Sequence, residues 1–158
     1  MLIIGIDPGL AGGLAVLRHG ECAGVYDLPV MAAGKTGRNM INAASVAELL
    51  REIRAAYSGF SVAVALERPA AMPGQGVSSM FSLGDSFGAL RGVVAALNLP
   101  LHLIVPAVWK RRFGLNADKE AARALAISLF PDASLARKKD HGRAEALLIA
   151  EFLRREIE

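Results

Sequence analysis

Residues Leu2-Ile3-Ile4-Gly5-Ile6 are apolar without alternation, and the run stops at Asp7-Pro8-Gly9. A strand that is apolar on both faces has to be covered on both faces, so the sheet it joins lies between two layers. A second run, Val62-Ala63-Val64-Ala65-Leu66, has the same character and stops at Glu67. Each run therefore delivers one carboxylate where strand gives way to loop, a common location for function. Asp140 and Glu145 open a third, helix-like segment near the end of the chain. Acids delivered by two strands and one helix can converge on hard divalent cations.

The remaining pattern fills in the layers. Gly12-Gly13 precede a strand over Leu14–Leu17, His19-Gly20 make a turn, and Glu21–Leu28 return as a third strand, so the sheet starts antiparallel. Met31–Asn42, with Gly34, Lys35, Gly37 and Arg38, reads as a mobile polar loop. Ser45 and Glu48 have capping-box spacing at the head of a helix carrying Val46, Leu49, Leu50 and Ile53. After the Glu67 strand and a Pro/Gly loop over Pro69–Gly76 comes a long helix, Val77–Leu97, with Gly84, Gly88 and Gly92 four apart. Leu101–Val105 is a fifth strand, and helices over Ala107–Phe113, Asp118–Leu129 and Arg143–Ile157 finish the chain. The order β-β-β-α-β-α-β-α predicts an α/β fold: a mixed five-stranded sheet with helices on both faces, in one domain over 1–158.

Composition narrows the class. A hydrophobic fraction of 53% and a mean hydropathy of +0.37 exclude a disordered chain. No apolar run approaches the roughly 18–20 residues of a membrane span. Cys22 is the only cysteine, which excludes a disulfide framework or thiolate metal site and predicts a reducing, cytoplasmic setting. Net charge is only +3, but Lys110-Arg111-Arg112, Lys119, Arg123, Arg137-Lys138-Lys139 and Arg143 crowd residues 106–143 against Asp118, Glu120, Asp132 and Asp140. A local cationic face of this kind attracts a polyanion. An acidic metal centre beside it suits phosphodiester cleavage.

Every candidate has a plainer reading. Asp7 can be a turn residue bonded to its own backbone. Glu67 can pair with Arg68, although strand neighbours point to opposite faces. Asp140 can cap its helix, and Glu145 can complement the helix dipole. Against this, Ala144–Ala150 is apolar nearly all round, so Glu145 faces protein, and His141 shares its helix face four residues earlier. Gly5 leaves room for another element to pack against the first strand. Trp109 either stacks on nucleic acid or fills the core, with the core reading favoured.

Taken together, Gly5-Ile6-Asp7-Pro8-Gly9, Glu67, Ala117-Asp118-Lys119-Glu120 and Glu145-Ala146-Leu147-Leu148-Ile149-Ala150 resemble, in order and spacing, a RuvC-type Holliday junction resolvase of the RNase H-like superfamily, in a phage or prophage branch. The resemblance implies a nuclease using two Mg²⁺ ions, with Mn²⁺ as substitute, held by Asp7, Glu67 and the acids Asp140 and Glu145 of the last helix, where the pair meeting the metal is either His141 and Glu145 or Asp140 and Glu145. It implies a homodimer through the helix 77–97, using Ser78, Met80, Phe81, Phe87 and Leu90, that nicks opposing strands of a four-way junction for recombination and repair. Lys119 matches a position tied to DNA contact or catalysis, and Lys110 does so more loosely. Where the family has an aromatic wedge after its second acid, this chain has Pro69-Ala70-Ala71-Met72-Pro73, leaving Met72 as the apolar candidate.

In such a mechanism two cations about 4 Å apart would clamp the scissile phosphate. Lys119 would stabilise transition-state charge, and His141 would orient water or carry a proton. Arg68, Met72, Lys110, Arg111, Arg112, Lys119, Arg137, Lys138 and Lys139 are the candidate DNA contacts. Rival readings are a catalytically silent branched-DNA-binding protein, an RNA:DNA hybrid nuclease and an actin-like ATPase domain. The last needs about twice this length and a second phosphate loop.

Overall fold

The computed structural model of the chain describes residues 1–34, 38–71 and 73–158. In chain order it contains β1 (Leu2–Ile6), β2 (Gly13–Arg18), β3 (Glu21–Asp27), β4 (Val30–Ala33), β5 (Arg38–Ile41), α1 (Ala43–Ala56), β6 (Val62–Glu67), α2 (Val77–Ala96), β7 (Leu101–Ile104), α3 (Pro106–Arg112), α4 (Lys119–Leu129) and α5 (His141–Ile157). The main sheet runs β3-β2-β1-β6-β7, antiparallel on the β2 side and parallel on the β6 side. It is the mixed five-stranded sheet expected from the sequence.

Two apolar layers follow from the pleat. Odd-numbered β1 and β2 residues (Ile3, Ala15, Leu17), with Ala63 and Ala65, meet α3, α4 and α5. Even-numbered residues (Leu2, Ile4, Ile6, Leu14, Val16), with Val64 and Leu66, meet α1 and α2. Alternate side chains of one strand point to opposite faces, so a run with no polar residue has helices on both sides.

Two local expectations are corrected. The stretch read as a polar loop forms a hairpin in which Val30 pairs with Ile41 and Ala33 with Arg38. Among its described side chains only Ile41 is in the core, while Val30, Met31 and Met40 are substantially exposed, so no periodic apolar pattern announces it. Lys35, Thr36 and Gly37 of that stretch lie outside the described residues. Helix α1 is capped by Asn42 rather than Ser45: the Asn42 Oδ1 accepts the Ser45 N–H at 3.1 Å. Ala43 and Ala44 favour helix strongly enough to start it ahead of the serine.

Helix α5 comes unusually close to the sheet. A Cβ on Gly5 would sit 2.0 Å from the Ala146 carbonyl oxygen, and one on Gly142 would sit 2.2 Å from the Ala11 carbonyl oxygen. Gly12 and Gly142 also form a parallel bridge. Only glycine tolerates such backbone approach, and that contact brings the first turns of α5 beside the end of β1.

Candidate active site

Parallel pairing fixes the first two acids. Ile6 is opposite Leu66 in the β1–β6 register, so Asp7 and Glu67 leave the sheet side by side. Asp7 Oδ1 accepts the Gly9 N–H at 3.3 Å, the turn bond foreseen by its plainer reading, and this bond holds the carboxylate at the sheet edge. Helix α5 supplies Glu145, whose Oε1 is 3.0 Å from Lys110 Nζ on α3. Asp7, Glu67, Glu145, Lys110 and Lys119 line one cavity of about 530 Å³, with Pro69, Val105 and Leu83 among its apolar walls.

The electrostatics of this cavity are those of crowded acids in a poorly solvated space. Asp7 is pushed up to about 6, first by burial and then by the Glu145 charge. Glu67 is pushed up to about 8 by burial, then by Asp7 and Glu145. Lys110 opposes both shifts without cancelling them. Like charges disfavour ionisation of their neighbours, and a cation placed among them reverses the effect.

The other expected site residues go elsewhere. Asp140 is buried, and its oxygens accept from the Arg137 backbone N–H and Nε, both at 2.8 Å. Burial would raise its pKa, but the Arg137 hydrogen bonds outweigh it and hold the carboxyl below its ordinary range. It makes no side-chain cap for α5 either. His141 turns toward α4, its Nδ1 3.2 Å from the Lys119 carbonyl oxygen and its Nε2 3.9 Å from Glu120. That contact joins the starts of α4 and α5 and sets where Lys119 stands.

The cationic set also divides. Lys110 and Lys119 face the acids, whereas Arg111 and Arg112 line a separate hollow with Val108, Phe152 and Glu156. Arg137 is taken up by Asp27 and Asp140, while Arg68, Lys138 and Lys139 are exposed. Trp109 is wholly buried, so it is a core aromatic. Leu90 of α2 belongs to the core, whereas Phe81 is 77% exposed. Met72 lies outside the described residues. Pro106 and Ala107 at the start of α3 and Gln75 before α2 also line the acid cavity, and sequence reasoning did not select them because such apolar and amide side chains carry no chemical signature.

The donor chemistry at the cavity suits a hard divalent cation: three carboxylates and the Gln75 amide, with no thiolate among the lining residues. As placed, no group of three or more His, Cys, Asp or Glu side chains among the described residues is arranged to hold a metal ion. The Lys110 ammonium instead sits against Glu145, a positive charge occupying part of the space among the acids. The residues therefore fit a cation in chemistry, with Lys110 having to give way at Glu145.

No protein-family model matches the chain. It is 31% identical over 147 residues to the chloroplastic Holliday junction resolvase MOC1 of Chlamydomonas reinhardtii, a match covering 80% of this chain and 17% of that protein. The chain thus spans under a fifth of that relative's length. Thermus thermophilus RuvC, solved in complex with a Holliday junction substrate, superposes with a TM-score of 0.65 at 20% identity, covering 99% of this chain and 96% of that one. A second structure of T. thermophilus RuvC gives a TM-score of 0.58, also at 20% identity and the same coverage. In fold the chain is thus similar to RuvC, and in sequence it is similar to part of a Holliday junction resolvase.

Proposed function

We propose that the chain is a structure-specific endonuclease that resolves four-way DNA junctions, with other branched DNA as further substrates. One observation carries this reading: β1, β6 and α5 bring Asp7, Glu67 and Glu145 to one cavity with Lys110 and Lys119 at its wall. The likeness to RuvC and to the chloroplastic resolvase supports the choice of a junction over other nucleic acids.

Asp7, Glu67 and Glu145 would hold Mg²⁺ or Mn²⁺, which supplies Lewis-acid activation of water and of the leaving oxygen. Asp140 is left out of this set because Arg137 already engages its carboxylate. Lys119, exposed at the start of α4, meets the developing negative charge of the phosphoryl group. Lys110, 3.0 Å from Glu145 as the side chains stand, screens the acids from one another and would release Glu145 when a cation is held there.

Two sites on one junction require two chains. The outward side of α2 supports a homodimer: Val77 is 87% exposed and Phe81 77% exposed. Nothing lies within 4 Å of a Cβ built on Gly84, Gly88 or Gly92, so a partner backbone can approach there. Among the described residues no helix is long and apolar enough to cross a membrane. A role in recombination and repair, in the cytoplasm, completes the reading.

The test is Mg²⁺-dependent cleavage of a labelled four-way junction beside linear duplex and an RNA:DNA hybrid, with Asp7→Asn as control. Paired symmetric nicks near the crossover, lost in Asp7→Asn, are expected. Cleavage of the hybrid alone, or tight junction binding without cutting, would overturn the reading.

A further inference from the structure

Among the described residues one buried side-chain polar atom has no hydrogen-bond partner, the indole Nε1 of Trp109. Trp109 is the only tryptophan in the chain and is 0% exposed. A buried donor left unmet costs about 1–3 kcal/mol, so a structure retaining one calls for a reason.

Its neighbourhood narrows what that reason can be. The ring stands edge-on to Phe113 at 6.5 Å between centroids and packs among Ala63, Ala65 and Ile104. Lys110 Nζ lies 5.1 Å from the ring centroid and reaches on to Glu145, so the indole sits directly behind the acid cavity. Glu67 ends β6 opposite Ile104, and Ala65 and Ile104 of that strand pair share a core cluster with the ring. The indole N–H also acts on the Glu67 carboxylate, favouring its charged form. Glu67 is thus the acceptor nearest in kind to this donor, although no hydrogen bond between them is closed as the side chains stand.

We infer that Trp109 is a positioning residue for Glu67: its indole N–H donates to one carboxylate oxygen when Glu67 turns to hold a divalent cation. This rests on the reading of the cavity as a metal-dependent nuclease site. Its physical basis is general, because a hydrogen bond behind a metal-binding side chain fixes orientation, and removing such bonds typically lowers metal affinity about 10–100-fold. Glu67 needs that restraint, since it stands at the last position of its strand.

The test uses Mn²⁺ binding to the whole chain by calorimetry, without DNA. Trp109→Phe keeps a ring and removes the donor, and about 10–100-fold weaker Mn²⁺ binding is expected, with junction affinity in EDTA unchanged. A Trp109→Phe protein that folds and binds Mn²⁺ within twofold of wild type would overturn the inference while leaving the nuclease reading intact. Wild-type protein that binds no Mn²⁺ would overturn both. Should Trp109→Phe not fold, the wild-type chain itself decides. A sole tryptophan gives a sole indole N–H resonance, expected to move downfield as Mg²⁺ saturates the site. A resonance that stays in place at saturation overturns the inference.

Discussion

Asp7 and Glu67 each follow an unbroken apolar run, and that placement was legible in the sequence because a carboxylate ending a buried strand has few other uses. Their displaced titration gives it a measurable consequence. A carboxyl whose pKa is raised by folding keeps its proton in the native state while the unfolded chain loses it. Stability without metal therefore falls as pH rises from about 4, through 6 for Asp7 and toward 8 for Glu67. Asp7→Asn and Glu67→Gln should each raise the metal-free melting temperature at pH 8, with a much smaller gain at pH 5, as calorimetric scans at the two values would record. Asp140 was not legible in this way. Its spacing from Glu145 suits a shared site, but nothing in spacing says that Arg137, three residues earlier, folds back and takes both oxygens. Being held low, Asp140 adds stability above its unfolded pKa and loses it as pH falls through its folded value. Asp140→Asn should destabilise by roughly 1–3 kcal/mol in urea unfolding at pH 7.

At the scale of elements, the main-sheet strands and long helices followed from apolar runs bounded by turn and capping residues, whereas β4–β5 did not, because it lies outside the main sheet and buries little. The contact of α5 with β1 and β2 could be read only in part. Gly5 suggested a close neighbour, but which helix would approach it depends on how the chain packs. Gly5→Ala puts a methyl group against the Ala146 carbonyl and should cost roughly 1–3 kcal/mol or more in denaturant unfolding. On the proposed reading, cleavage should fall further than stability does, because pushing α5 outward carries Glu145 away from Asp7 and Glu67.

At the scale of the whole molecule, the fold class was legible and the deployment of charge was not. The basic run in the sequence separates in space: Lys110 and Lys119 at the acids, Arg111 and Arg112 on another face of α3, and Arg137 and Arg143 against Asp27. Junction binding should weaken steeply with added salt, and Lys138→Ala with Lys139→Ala should flatten that dependence more than Arg137→Ala, as binding isotherms at several salt concentrations would register. Phe81→Glu, on the open side of α2, should give a monomer by light scattering and single rather than paired nicks.

The adjacent register of β1 and β6 leaves room for change over evolutionary time. Asp7 and Glu67 are kept in step by the strand pairing itself, not by the 59 residues that separate them along the chain. The hairpin β4–β5 and α1 both lie within that interval. Descendants can lengthen, shorten or redecorate it to meet new branched substrates while the two carboxylates stay where they are.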